Sequence, residues 1–385
     1  MTQRDGLVAI MAGSSIAPLN GIGFGTWAWG NKAVWGYDAQ RDDARLRATF
    51  RQALSSGLNL IDTADSYGTG SLSGRSEALL GDFMAELPAL RRSQLTVATK
   101  LAPFPWRWGR RGFDAAFEAS RTRLKGQLRR VQLHWSTARY APWQETGLLD
   151  GLADLVLSGR VEELGLSNLG PQRLLLIHRR LLERGVSLRS VQVQCSLLAP
   201  ADDQLRELIA VSRELGVEVL AYSPLAFGVL GCAPGSEERR PVTWLRQRLF
   251  QRLLPASLEL RSAMQAIAID RGASMVQVAL NWCRALGTTP IPGLRTPEQA
   301  RDVAAALQWS LSPQELQRLD APRLHCSERM PANLFQSRCV LFSVLRGGFT
   351  GWTHHYREAV AVIPYRNHFV PRRFQASGGW GRFPT

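Results

Sequence analysis

Four residues of this chain have side chains that can work on a single proton: Asp62, Tyr67, Lys100 and His134. A free phenol titrates near ~10, too high to release its proton easily at neutral pH. An ammonium group beside it stabilises the phenolate and lowers that value, and a carboxylate keeps the ammonium charged and fixed. A histidine can share the phenolic hydrogen bond and orient the oxygen that receives the proton. Such a set can protonate a carbonyl oxygen. The matching hydride is beyond any side chain and would require a nicotinamide. Taken singly, each residue has a plainer reading: Asp62 opening a turn, Lys100 a solvated strand end, His134 a satisfied core histidine. Their joint position, at the ends of three consecutive predicted strands, favours the chemical reading.

The elements that must position them follow from hydrophobic periodicity. The stretch 58–81 runs from a short apolar segment into Asp62, through a glycine-rich loop carrying Tyr67, and into helical spacing from Ser76. Beyond it the chain alternates. Strands are predicted at 58–63, 95–99, 131–135, 161–166, 190–194, 217–222, 288–292 and, weakly, 307–309. Between them helical spacing covers 42–55, 76–86, 114–128, 147–157, 171–184, 201–215, 258–271, 276–286 and 297–306. Such alternation implies a parallel sheet. Eight units over roughly 250 residues imply an α/β fold of the (β/α)8 barrel type, in which the C-terminal ends of the strands open on one face. A doubly wound sheet is the alternative, but its glycine-rich phosphate turn is missing. The run Gly21-Ile22-Gly23-Phe24-Gly25 is GxGxG with no helix pattern after it, and is predicted as an N-terminal hairpin. Residues 231–254 form the longest break, a loop followed by a basic amphipathic piece. It lies either over the active face or on the surface as an excursion. The barrel domain is assigned to 1–338, and 339–385 to an irregular, poorly ordered extension.

The other predicted strand ends carry Ser167 and Asn168, Gln194, then Tyr222, Ser223 and Pro224. Tyr222 can stack on a nicotinamide ring, and Ser167, Asn168 and Gln194 can hold its carboxamide. The plainer reading is core packing for Tyr222 and capping for Ser167 and Asn168. In Pro292-Gly293-Leu294-Arg295-Thr296-Pro297-Glu298, Thr296 has the character of an N-cap and Pro297 of a first helical residue. A helix N-terminus beside an arginine suits a phosphate.

Composition narrows the function class. Among 385 residues the net charge is +15, yet the cations are nearly all arginines spread over every segment; lysine occurs only at 32, 100 and 125. A nucleic-acid binder would concentrate them on one face. No run reaches ~18 apolar residues, and the N-terminus lacks a secretory pattern, so neither a membrane role nor export is expected. Cys195, Cys232, Cys283, Cys326 and Cys339 are odd in number, with no CxxC and no metal-ligand spacing. A reduced, cytoplasmic, metal-free chain is expected.

With these residues in place, the chain resembles the aldo-keto reductases over about 18–338. The resemblance rests on Asp62-Thr63-Ala64 with Tyr67-Gly68, Ala98-Thr99-Lys100, Leu133-His134-Trp135, Gly165-Leu166-Ser167-Asn168, Tyr222-Ser223-Pro224-Leu225 and Ile291-Pro292-Gly293. It implies Tyr67 as general acid, supported by Lys100, His134 and Asp62. It also implies NADPH extended across the barrel mouth, with Gly25, Thr26, Leu225, Thr296 and Gln299 among its contacts and Arg295 at a 2′-phosphate. Within the family, DTADSYGTG…GRSEALLG, Pro105-Trp106-Arg107, LHWSTARYAPWQE, VQVQCSLL and the late MPANLFQ (330–336) are similar to the pyridoxal reductase-like branch. That similarity implies a small aldehyde as substrate, pyridoxal being reduced to pyridoxine. Some superfamily members serve instead as redox-sensing auxiliary subunits, which is the alternative. The chain departs from the family pattern at Asp302 and Val303, where adenine contacts are usual. The loop 69–75 is longer than in many members, and Leu72 and Arg75 either shape the aldehyde pocket or only lengthen the loop.

Overall fold

The computed structural model describes residues 21–200, 203–235 and 241–333. Eight parallel strands follow one another in sequence order: β1 (Phe24–Gly25), β2 (Leu60–Asp62), β3 (Thr96–Leu101), β4 (Arg130–Leu133), β5 (Glu163–Ser167), β6 (Leu188–Gln194), β7 (Glu218–Tyr222) and β8 (Thr289–Ile291). Backbone bonds from Gly23 N to Pro290 O (3.0 Å) and Gly25 N to Pro292 O (2.9 Å) join β1 to the β8 edge and close the barrel. The (β/α)8 architecture is the one expected.

One strand is not where periodicity put it. The segment 307–309 belongs to a 3₁₀ turn, Ala306–Gln308, that continues a helix. The missing strand is β1: the glycine run 21–25, predicted as a hairpin, instead runs parallel to β2 and β8, while residues before 21 and the tail from 339 lie outside the described residues. Glycine is required there by close approach. A Cβ on Gly23 would stand 2.8 Å from the carbonyl oxygen of Leu60. Pro290 and Pro292 have no N–H to donate, but their carbonyls accept from β1, so these prolines stay compatible with closure.

Most helices lie close to the positions periodicity assigned. Leu258–Arg271 stops at Gly272 in the left-handed region (φ 58°), the usual helix terminator. Pro297–Ala305 starts at Thr296, whose side chain accepts from Gln299 N. The basic piece after the long break forms the helix Trp244–Ala256. Pro313–His325, begun by a Ser312/Glu315 capping box, was not expected. Gly81 lets the helix Arg75–Ala85 press on the chain at Arg123, where a Cβ would come within 2.0 Å of a carbonyl oxygen. At the N-terminal end of the strands Arg130, almost fully buried, pairs with Glu163 (2.7 Å) and Glu218 (3.3 Å) and forms a charged floor. Among the described residues no helix is long and apolar enough to cross a membrane.

Candidate active site

The site begins where β2 runs out. Asp62 is buried inside the barrel, and its backbone oxygen accepts from both Thr26 N (2.9 Å) and Thr26 Oγ1 (3.1 Å). Lys100, on β3, donates from Nζ to Asp62 Oδ2 (2.5 Å) and to Thr63 O (2.7 Å). The other carboxylate oxygen accepts from Gln132 Nε2 (3.2 Å) and Gln192 Nε2 (2.7 Å). Among the described residues Asp62 therefore sits in a set of donors in which Lys100 is its only cationic partner. Gln132 and Gln192 were not singled out from sequence. Their signal was present: polar residues at inward positions of otherwise apolar strands.

Tyr67 lies above this pair. The Lys100 ammonium is 4.8 Å from the phenol ring centroid, and the His134 ring meets Tyr67 edge-on at 5.9 Å. His134 follows β4 and lies 3.4 Å, through Nδ1, from Ser66 Oγ. The four residues expected to act together are brought together. Their electrostatics differ from expectation in one respect. Burial pushes the Tyr67 phenol well above its usual range, and the negative charges of Asp62 and Asp65 push it further the same way. The Lys100 ammonium, paired with Asp62, lies over the ring. Burial, and then the nearby Lys100 charge, hold His134 well below its usual value, so its imidazole is neutral. Burial also lowers Lys100, and Asp62 opposes that effect. The arrangement holds a protonated phenol and a neutral imidazole side by side over a buried ion pair.

Beside His134 the loops after β3 and β4 form an aromatic shelf. Phe104 stacks on Trp106 (4.8 Å) and meets Trp135 edge-on, and Trp135 Nε1 donates to Tyr140 Oη (2.6 Å). Under the shelf Arg107 pairs with buried Asp65, whose carboxyl is pushed up by burial against the pull of that guanidinium. Arg75 turns to Tyr37 (3.2 Å) and Asp43 (2.5 Å), so it ties its loop to the neighbouring helix.

Of the expected cofactor residues, Gly25 and Thr26 lie at the end of β1, and the others lie at or after the ends of β5 to β8. Asn168 Nδ2 donates to His134 O (2.9 Å) and Ser167 Oγ (3.1 Å), and Tyr222 Oη donates to Asn168 Oδ1 (2.8 Å). Gln194 is buried at the end of β6. After β7 the chain takes left-handed conformations that side chains disfavour, at Ser223 (φ 53°), Ala226 (φ 47°) and Phe227 (φ 61°); Asn168 (φ 61°) does so after β5. Of the five such non-glycine residues among those described, only Lys125 lies elsewhere. Strain of this kind gathers at functional sites. Gln299 Oε1 accepts from Arg295 N (2.8 Å), so Gln299 and Thr296 serve the start of their helix. Asp302 Oδ1 accepts from Gln277 Nε2 (2.8 Å), and Val303 is core and turned away from any ligand.

Arg295 has an unanticipated companion. Arg246, on the helix after the long break, lies 4.3 Å from the Trp35 ring centroid, and Arg295 lies 5.8 Å from the same centroid. Arg246 donates to Phe227 O (2.9 Å), while its Nε is buried with no partner. Burial and the Arg295 charge bring Arg246 down to about 10. Among the described residues neither guanidinium makes an ion pair. Two half-buried cations side by side, one with an orphaned N–H, fit an anionic group such as a nucleotide's phosphates. The basic piece 231–254 pointed to this region, but nothing local separates Arg246 from Arg248 or Arg252. The helix Trp244–Ala256 of the long break thus reaches the turn after β7, at Phe227. Among the described residues no group of side chains could hold a metal ion.

The family model "Aldo/keto reductase family" matches residues 21–323, nearly the whole described barrel. The chain belongs to the aldo/keto reductase family. As such it is an NAD(P)H-dependent oxidoreductase acting on carbonyl and alcohol groups. It is 45% identical over 327 residues to the chloroplastic pyridoxal reductase of Arabidopsis thaliana, covering 84% of this chain and 88% of that one. It is 26% identical to the NADH-specific methylglyoxal reductase of Escherichia coli, over 79% and 94% of the two chains. Among solved structures, an aldo-keto reductase from Klebsiella pneumoniae in complex with NADPH superposes with a TM-score of 0.59 at 27% identity, over 81% of this chain and 94% of that one. The glycerol dehydrogenase of Gluconobacter oxydans shares the fold, with a TM-score of 0.64 at 24% identity over 82% and 95%.

Proposed function

We propose that this reductase uses NADPH to reduce a flat aromatic aldehyde, with pyridoxal, giving pyridoxine, as the leading candidate. The observation that carries the reading is the Tyr67 ring beside His134, both over the buried Lys100–Asp62 pair. The nicotinamide would supply a hydride to the carbonyl carbon. Tyr67 gives its hydroxyl proton to the carbonyl oxygen as charge develops there, and later regains a proton from solvent. A phenol kept protonated is a competent donor in this direction, and general acids of this kind contribute about 10²–10⁴-fold. His134, uncharged, holds the same oxygen by a hydrogen bond. Lys100 compensates the phenolate as it forms, while Asp62 keeps the ammonium in place.

Ser167, Asn168, Gln194 and Tyr222 would hold the nicotinamide end, Gly25, Thr26 and Ser223 to Leu225 the middle, and Arg295 and Arg246 the phosphates. Arg295 favours a cofactor with the extra 2′-phosphate. The shelf of Phe104, Trp106 and Trp135 beside His134 supports a planar aromatic substrate, as does the likeness to the plant pyridoxal reductase. The free thiols Cys195, Cys232, Cys283 and Cys326 fit a reducing compartment such as the cytoplasm. We place the activity in the barrel domain alone, without the extension from 339.

The test is NADPH oxidation against a panel of aldehydes that includes pyridoxal, with product identification. Turnover of pyridoxal ahead of aliphatic aldehydes is expected. Tight NADPH binding with no turnover of any aldehyde would instead indicate a redox-sensing auxiliary protein.

A further inference from the structure

Three consecutive residues of the loop after β2 turn to three different partners. Asp65 is buried; its N–H donates to Lys100 O (3.0 Å), and its carboxylate accepts from Ala102 N (3.3 Å) and pairs with Arg107. Ser66 Oγ lies against His134 Nδ1 (3.4 Å), and the Tyr67 ring lies by the Lys100 ammonium. Arg107 is held as closely from its own side. Its Nη1 also donates to Ala102 O (2.8 Å), its backbone N–H donates to Phe104 O (2.9 Å), and its guanidinium carbon is 4.9 Å from the Phe104 ring centroid. Gln144, buried on the helix Pro142–Leu157, fastens the same turn by donating to Phe104 O (2.7 Å) and Arg107 O (2.5 Å). One ion pair therefore joins the loop that carries the phenol to the turn that carries Phe104 and Trp106. None of the steps given to Tyr67, His134, Lys100 and Asp62 uses it.

We propose that Asp65 and Arg107 are positioning residues that make this reductase selective for aromatic aldehydes, by holding the Phe104–Trp106 face in place beside Tyr67. This rests on reading the aromatic shelf as the seat of the aldehyde's ring. A guanidinium is planar, so it can lie along an aromatic face while its N–H groups keep two oxygens, which a lysine ammonium does not do. Arg107 does both: it serves Asp65 and Ala102 O and supports the Phe104 ring. A flat substrate must be located twice, with its ring on the shelf and its carbonyl oxygen at the phenol. Asp65 ties those two places together, because it is two residues from Tyr67 and bound to the turn below the shelf. A short aliphatic aldehyde has no ring to seat and needs only the carbonyl contacts. The pair therefore acts on the first kind of substrate and is indifferent to the second.

Arg107→Lys in the full-length protein is the test, because lysine keeps a cation opposite Asp65 and so preserves the fold. Steady-state reduction of benzaldehyde and of propanal with NADPH is compared. The KM for benzaldehyde is expected to rise about tenfold, the scale of a lost aromatic contact, with kcat within about twofold of wild type. Propanal should keep its kcat/KM within about twofold. Asp65→Asn, which releases the guanidinium, should lower the benzaldehyde-to-propanal ratio of kcat/KM to a similar degree. Phe104→Leu removes the supported ring and leaves the buried pair; it should weaken benzaldehyde alike, and adding Arg107→Lys to it should cost nothing more, since Arg107 acts through that ring. An unchanged benzaldehyde KM, equal losses for both aldehydes, or additive effects in the double variant would overturn the proposal, while a wild type that prefers benzaldehyde would keep the shelf reading. A wild type without that preference would remove the shelf reading and the proposal together.

Discussion

Replacing Asp62 with asparagine gives the most direct test of the site's electrostatics. The Lys100 and Asp62 side chains are 1% and 4% exposed and meet at 2.5 Å. Removing one member of such a pair leaves an uncompensated buried charge, which typically costs about 3–5 kcal/mol. Asparagine is a poor substitute, because its N–H₂ must face either the Lys100 ammonium or the donating amides of Gln132 and Gln192. The cost should depend on pH in a definite direction. Burial already lowers Lys100, and Asp62 is the main group raising it. Without that carboxylate Lys100 falls further below its unfolded value of ~10.4. Between the two values the unfolded chain binds the extra proton, so stability of the variant rises with pH across that window. Asp62→Asn should therefore lose about 3–5 kcal/mol at neutral pH and recover part of it toward pH ~10. Urea unfolding at several pH values measures this. Adding Lys100→Met to the variant should restore most of the stability, because the orphaned charge is gone, while turnover stays lost. A loss below about 1 kcal/mol, a deficit flat in pH, or a double variant no more stable than the single one would refute the argument.

Tyr67→Phe should abolish aldehyde reduction and leave NADPH affinity nearly unchanged, read by turnover and by fluorescence titration. Because the Tyr67 pKa is raised, reductive kcat/KM should show no loss from this group between about pH 7 and about pH 9, whereas alcohol oxidation, which needs phenolate, should still be rising near pH 10. Arg295→Ala should raise the NADPH Michaelis constant far more than the NADH one. Arg246→Met, which keeps the aliphatic stem over Trp35, should weaken both by a similar factor, and strong discrimination would move Arg246 to the 2′-phosphate. Gly81→Val should destabilise the barrel by at least about 2 kcal/mol in thermal unfolding, because its Cβ has no room against Arg123 O.

Much of this was legible because local signals coincide with what tertiary structure requires. The helix starting at Thr296 and Pro297 and the one stopping at Gly272 were both marked by their own residues. Asp62, Lys100 and His134 stood at strand ends, and the barrel turned those ends into one place. β1 was not legible, since two residues among glycines have no periodicity and their partners lie at Asp62 and Pro292. The apolar piece 307–309 misled for the converse reason: a short apolar run at the end of a helix packs equally well as a turn. Arg246 reaches the mouth from a segment whose return path no local pattern encodes. The direction of the Tyr67 shift follows first from its burial, which no local pattern encodes.

The left-handed residues at Asn168, Ser223, Ala226 and Phe227 also bear on how this enzyme will respond to engineering. Each such conformation costs on the order of 1 kcal/mol or more, and glycine would relieve it. Selection for heat resistance alone should therefore favour Ser223→Gly and Ala226→Gly, whereas Asn168→Gly would forfeit the hydrogen bonds of the Asn168 amide. Those gains would come from the segment after β7 that we propose lines the cofactor, so the thermally hardened survivors should be poor reductases. The reserve of stability most easily released in this barrel is the part its catalysis has committed.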